Sequence, residues 1–216
     1  MVKCQSKVGQ LRLDKIDYTL KCEYNHSMDN AVINFMMQHM HGSKFVNYLM
    51  KFITYLGEYG LIWVVLLIVL ICIPKTRKIG IIATICLLVE LVLCNGALKP
   101  IIARERPFAK NTAILDFLHS IGLKIPKDGS FPSGHTASSF AVAVSLMLLT
   151  GKKAWGALVL AFLIAFSRVF LCVHYLTDVL GGMILGTSVA LVVCLIYKTK
   201  QKSKSTKTET SQTTTE

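Results

Sequence analysis

Charge is scarce in this chain: 17% of its 216 residues are Asp, Glu, Lys or Arg, whereas 53% belong to the hydrophobic set. A soluble fold has trouble covering that much apolar surface, so the composition selects a membrane as the solvent and the length selects a single domain. The seven cysteines contain no CxxC pair, which removes the usual spacing of a zinc site or a disulfide framework. Five of them sit in or beside apolar runs, where a free thiol packs as a small hydrophobe. No internal repeat is present. The first 27 residues hold no apolar core of the length a secretory signal needs, so none is expected.

What the chain has instead is apolar runs near the twenty residues needed to cross about 30 Å of hydrocarbon. Four stand out, Ile79 to Leu98, His135 to Thr150, Ala154 to Val173 and Leu176 to Tyr197, and a fifth, Phe52 to Ile73, is weakened by Glu58. Residues 28 to 51 mix Phe, Met, Val and Ile with Asn, Gln, His and Lys, the pattern of an amphipathic helix on the membrane surface, or else a sixth, poor span. The expected fold is therefore all-α: an integral membrane bundle of five to six transmembrane helices. It divides into an N-terminal tail and interfacial segment (1–51), a transmembrane domain (52–197) and a disordered, lysine-rich cytoplasmic tail (198–216).

The net charge of +12 does not point to nucleic acid, because of where it lies. Lys75, Arg77, Lys78, Lys152, Lys153, Lys198, Lys200, Lys202, Lys204 and Lys207 all fall on one side of a five-span topology. By the positive-inside rule that side is cytoplasmic. The unusual polar residues collect on the other side. Lys99 and Arg106 bracket the end of the second span, Pro132-Ser133-Gly134-His135 opens the third, and Ser167, Arg168, His174 and Asp178 lie where the fourth meets the fifth.

Each has a plain alternative: a helix cap with an accidental histidine, a surface His-x3-Asp pair, an arginine snorkelling to the interface. Their joint placement argues for chemistry. Arg168 lies some five residues inside an apolar run, where a cation costs about 2.5–3.5 kcal/mol. A phosphate held by Lys99, Arg106 and Arg168 offsets that cost, and the free amides at Ser133-Gly134 suit the same anion. Ser133 is expected to cap the helix. If the fifth span begins near His174, Asp178 shares its helical face and can hold one ring N–H while the other nitrogen attacks, with His135 as the proton donor.

Lys99-x6-Arg106-Pro107, Pro132-Ser133-Gly134-His135 and Ser167-Arg168-x5-His174-x3-Asp178 together resemble the three signature motifs of the type 2 phosphatidic acid phosphatase superfamily. The resemblance covers about residues 52–197. It implies a metal-independent phosphatase without cofactor in which His174 is phosphorylated, His135 is the acid, Asp178 orients His174, and Lys99, Arg106, Ser133, Gly134 and Arg168 hold the phosphoryl oxygens. An outward-facing site on a multi-pass cell-membrane protein favours a lipid phosphate in the bilayer, undecaprenyl diphosphate first, phosphatidylglycerol phosphate or phosphatidate next. A non-catalytic transporter or lipid-binding protein would need only the cations. Arg104 and Lys110 are expected to meet the second phosphate of a diphosphate, and Gly182 and Gly186 to seat the last span closely on a neighbour.

Overall fold

The computed structural model describes residues 28–41 and 43–213, with side chains as far as Ser203. The expected tail at residues 1–27 lies outside the described residues. The chain is all helical there: α1 (28–39), α2 (Lys44–Leu56), α3 (Leu61–Cys72), α4 (Arg77–Leu91), α5 (Lys99–Ile102), α6 (Thr112–Ser120), α7 (Gly134–Thr150), α8 (Trp155–Phe170) and α9 (Leu176–Thr213). Among the described residues, three helical runs are long and apolar enough to cross a membrane, or four if the bent pair α2–α3 is one span. The expected count of five to six is finer than length and composition alone support.

Helix α7 is the centre of the bundle. Ten of its 17 residues are buried, and most of these are Ala, Ser or Thr, small side chains that let neighbouring backbones come close. It packs against α4, α8 and α9. Residues such as Val64, Ile68, Val92, Ile184, Leu195 and Ile196 point outward and are exposed, the surface a hydrocarbon solvent would cover. The closest seam is between α7 and α9, where a Cβ added at Gly182 would lie 2.6 Å from the Ser133 carbonyl oxygen and one at Gly186 only 2.2 Å from that of Ala137. The small-x3-small pair thus does what its spacing suggests. Because the seam starts at Ser133 and α9 starts at Leu176, it also fixes the loop before α7 against the turn before α9.

Three segments differ from expectation. The run Phe52 to Ile73 is not one helix: α2 and α3 meet at a 47° bend, where Tyr59 and Gly60 take positive φ values of 50° and 67°. A Cβ at Gly57 would lie 3.0 Å from the His135 ring, so glycine lets the bend press against the start of α7. The stretch 28 to 51 is two elements, α1 and the first part of α2, separated by a turn. Helix α9 continues beyond Tyr197 to Thr213, since the Lys-, Ser- and Thr-rich segment after it contains neither Gly nor Pro to stop a helix.

Gly186→Ala should lower the thermal midpoint of the detergent-solubilised protein, followed by tryptophan fluorescence, by the equivalent of about 1–3 kcal/mol. Gly156→Ala, where an added Cβ meets nothing within 4 Å, should leave it unchanged.

Candidate active site

The eight residues singled out by the sequence converge. The π-helical turn Val92–Leu98 carries the chain from α4 into α5, a kind of insertion often found at functional sites, and brings Asn95 and Lys99 to a cavity of about 490 Å³. Lys99, Arg106, Gly134, His135, Arg168 and His174 line it. Ser133 and Asp178 stand behind the wall: the Ser133 amide donates to the Asp178 carbonyl at 3.0 Å, which ties the two motifs together through the backbone.

His174 is 1% exposed and is not on a helix. The chain leaves α8 through a tight turn in which Cys172 takes φ 52° and the amides of Val173 and His174 both donate to the Arg168 carbonyl. The His–Asp pairing expected from a shared helical face is produced by this turn folding back on the first turn of α9. Nδ1 of His174 lies 3.5 Å from Asp178 Oδ2, while Nε2 lies 3.0 Å from an Arg106 nitrogen. With the ring proton on Nδ1, the Nε2 lone pair accepts from Arg106 and faces the cavity. Burial, reinforced by the charges of Arg106, Arg168 and Lys99, holds the His174 pKa well below the usual 6.5, so the ring is neutral at neutral pH.

Around this ring the cations are held by partners that the sequence did not announce. Arg106 donates through Nε to the Asp128 carbonyl at 2.9 Å and through a terminal nitrogen to the Asp128 carboxylate at 2.8 Å, and Lys99 is ion-paired with the same carboxylate. Arg168 donates to Thr54 Oγ1 at 2.6 Å, and its Nε has no hydrogen-bond partner among the described residues. Glu58, carried by the bend between α2 and α3, reaches to 3.8 Å from His135 Nε2. Ser130 donates to Asp178. Glu58 had a legible signal, a carboxylate within an apolar run, which is a functional candidate by default. Asp128 and Ser130 lay in a polar loop with nothing to distinguish them, and Thr54 had no signal at all.

Two local expectations fail. Ser133 occupies the N-cap position, but its hydroxyl makes no bond to the helix backbone; it accepts from the Thr136 hydroxyl at 3.0 Å. Arg104 is not free to meet a second phosphate, since its guanidinium is spent on Asp29, Asp178 and Thr177, and Lys110 pairs with Glu105 at 3.1 Å on the exposed loop. Among the described residues no group of three or more His, Cys, Asp or Glu side chains is arranged to hold a metal ion.

Residues 77–202 match the model of the PAP2 superfamily. The chain belongs to that superfamily. Among similar proteins, the undecaprenyl-diphosphatase of Sulfolobus acidocaldarius is 32% identical over 72% of this chain and 77% of its own. The undecaprenyl-diphosphatase of Bacillus subtilis is 27% identical over 73% and 76%. The crystal structure of a transmembrane PAP2-type phosphatidylglycerolphosphate phosphatase from Bacillus subtilis superposes with a TM-score of 0.62 at 25% identity, covering 83% of this chain and 87% of that one. The expectation of a membrane lipid phosphatase, a hydrolase of phosphoric esters, is borne out.

In this PAP2 protein, Asp128 is an internal anion on two of the cavity's cations. Burial opposes its ionisation, but the bond from Lys99 and the charges of Arg106 and Lys99 outweigh burial and hold its carboxyl down to about 2. A folded value below the ordinary 3.8 means the pairs are complete above that ordinary value and are lost only as pH falls toward 2. Asp128→Asn should therefore strengthen inhibition by vanadate, a phosphate-like oxyanion, by about 2- to 5-fold, with the same ratio at pH 6 and pH 8 in steady-state assays.

Proposed function

We propose that this protein is a multi-pass phosphatase of the cell membrane, with its active site on the extracytoplasmic face, that removes the terminal phosphate of undecaprenyl diphosphate through a phosphohistidine at His174. The observation that carries this reading is the His174 ring itself. It is neutral and buried, with one nitrogen toward Asp178 and the other at the wall of a cavity edged by Lys99, Arg106 and Arg168.

The residues take these roles. The terminal phosphoryl group enters among Lys99, Arg106 and Arg168, displacing the Asp128 carboxylate, with the Gly134 amide at the start of α7 completing the anion site and Ser133 fixing that turn to Asp178 from behind. Nε2 of His174 attacks phosphorus as the bond to the bridging oxygen breaks, and His135 delivers a proton to that oxygen. The imidazole gains positive charge in this step, and Asp178 stabilises it at Nδ1. Water then attacks the phosphohistidine, giving its proton to the now neutral His135, and inorganic phosphate leaves with both histidines restored. The positive charge already on Lys99, Arg106 and Arg168 does the work a metal would otherwise do, so no metal or cofactor enters any step.

In the membrane, the end of α2 together with α3 (52–73), α4, α7, α8 and α9 are read as five spans, with residues 28–51 lying along the outer face or adding a sixth. His135 at the start of α7 and Arg168 at the end of α8 line one cavity, so the chain reverses at Gly151–Ala154, where Lys152 and Lys153 lie. Arg77 and Lys78, Lys152 and Lys153, and the lysines after Tyr197 then share the face opposite the cavity, which supports an outward-facing site. Undecaprenyl diphosphate is preferred because two similar proteins carry that activity in their names. The structural neighbour's name makes phosphatidylglycerol phosphate the second reading.

Purified protein assayed for phosphate release in excess chelator should turn over undecaprenyl diphosphate faster than phosphatidylglycerol phosphate or phosphatidate. His174→Ala should reduce turnover of all three by at least about 10³-fold, and His135→Ala by about 10²- to 10⁴-fold, with partial recovery on a substrate whose leaving group needs no proton. Near-normal turnover by His174→Ala, or activity that chelator removes and magnesium restores, would refute the mechanism.

The topology is open to a separate measurement. In a background without native thiols, a cysteine replacing Lys127 should react with an impermeant thiol reagent added to intact cells, and one replacing Lys202 should not. The reverse pattern places the cavity in the cytoplasm.

A further inference from the structure

Arg104 is one of the six unspecified positions inside the first motif, yet its side chain is held on every side by buried or half-buried partners. Its backbone carbonyl accepts from the Ser130 amide at 2.8 Å. The Ser130 hydroxyl donates to Oδ2 of Asp178 at 2.5 Å, and the Arg104 guanidinium donates to Oδ1 of Asp178 at 2.5 Å. These three contacts close a ring, Arg104 to Ser130 to Asp178 and back, that fixes both oxygens of the carboxylate facing His174.

The outer side of the guanidinium is anchored as well. It donates to Oδ2 of Asp29 at 2.7 Å and to the Thr177 hydroxyl at 2.7 Å, and it stacks over the Tyr175 ring at 4.2 Å. Asp29, the second residue of α1 and 1% exposed, accepts in addition from the Thr177 hydroxyl at 2.6 Å and the Thr177 amide at 3.1 Å. Two fully buried carboxylates, from α1 and α9, thus share one cation. Without that cation two like charges would face each other away from water, an arrangement the structure could relieve only by moving or protonating one of them.

We propose that Arg104 is a positioning residue for the reaction and that α1 is a working part of the active site: Asp29 holds Arg104, Arg104 holds Asp178, and Asp178 holds the ring of His174. This rests on the reading of His174 as the nucleophile and Asp178 as its orienter. None of Asp29, Arg104 and Thr177 lines the cavity that His174 faces; Arg104 borders only the neighbouring cavity, with its guanidinium turned to Asp178, Asp29 and Thr177, so their contribution is to the step in which the imidazole becomes charged.

The test is a set of steady-state measurements on the full-length enzyme with four variants: Arg104→Gln, Asp29→Asn, Asp178→Asn and the double variant Arg104→Gln/Asp178→Asn. Thermal midpoints establish that each is folded. Arg104→Gln should lower kcat about 10- to 100-fold, the usual cost of removing a partner that orients a reacting group, while KM stays within about 2-fold because substrate capture is untouched. In the Asp178→Asn background the same change should cost no more than about 2-fold, since its effect passes through Asp178. In a fifth variant, Arg104→Ala, added free guanidinium should recover part of the rate, which a purely structural role would not allow.

If Arg104→Gln does not fold, Asp29→Asn, which keeps the shape and removes one charge, carries the test. It should lower kcat about 3- to 10-fold at unchanged KM through a weakened hold on Arg104. Wild-type kcat in Arg104→Gln and Asp29→Asn beside a damaged Asp178→Asn would overturn this proposal alone. An equal fold-loss for Arg104→Gln in both backgrounds would also overturn it. Full activity of Asp178→Asn would instead overturn the reading of the site on which the proposal rests.

Discussion

The structure depends on keeping three cations together where water is scarce. Lys99, Arg106 and Arg168 line one cavity beside a buried histidine, and each would be costly there without an anion or a hydrogen-bond acceptor. The fold supplies these from elements far apart in the chain: Asp128 from the loop before α7, Thr54 from α2 and carbonyl oxygens from 128, 129 and 173. The cavity therefore gathers three cations at one wall, with the Asp128 carboxylate paired to two of them.

That charge cluster needs a rigid frame, and the seam between α7 and α9 provides it. Glycines at 182 and 186 bring the two backbones to contact, which fixes the Ser133–His135 turn relative to Asp178 more tightly than side chains alone would. Packing of this kind suits a bilayer, where exclusion of apolar groups from solvent gives helices no reason to associate and close van der Waals contact must do so. The same seam explains why the Ser133 amide is spent on the Asp178 carbonyl while its hydroxyl turns inward to accept from Thr136.

The frame is completed from outside the bundle. Residues 28–39 would pass for a surface helix, yet Asp29 is buried against Arg104 and Thr177, and Ile33 packs with Ile114, Leu118 and Phe170. Likewise the bend between α2 and α3 carries Glu58 to His135. Both histidines thus have carboxylates nearby, Asp178 from within the third motif and Glu58 from outside all three.

The sequence by itself determined the solvent, the helical class, the starts of α7 and α9 to within a residue, and six of the residues that meet at the cavity, Lys99, Arg106, Gly134, His135, Arg168 and His174, because hydrophobic runs and rare intramembrane charges are local signals that the bilayer enforces one by one. It also determined the family, since three motifs in order are specific where each alone is not. Only the tertiary structure decided the rest. The break at Gly57–Gly60 and the turn at Cys172 depend on what packs against them, and no pattern in an apolar run reveals that. The partners of the cations, Asp128 and Thr54, the approach of Glu58 to His135, and the bridge from Asp29 through Arg104 to Asp178 join residues as much as 149 positions apart (29 to 178). Such pairings carry no periodicity and no spacing, because an ion pair is set by where two chains meet and not by the sequence of either.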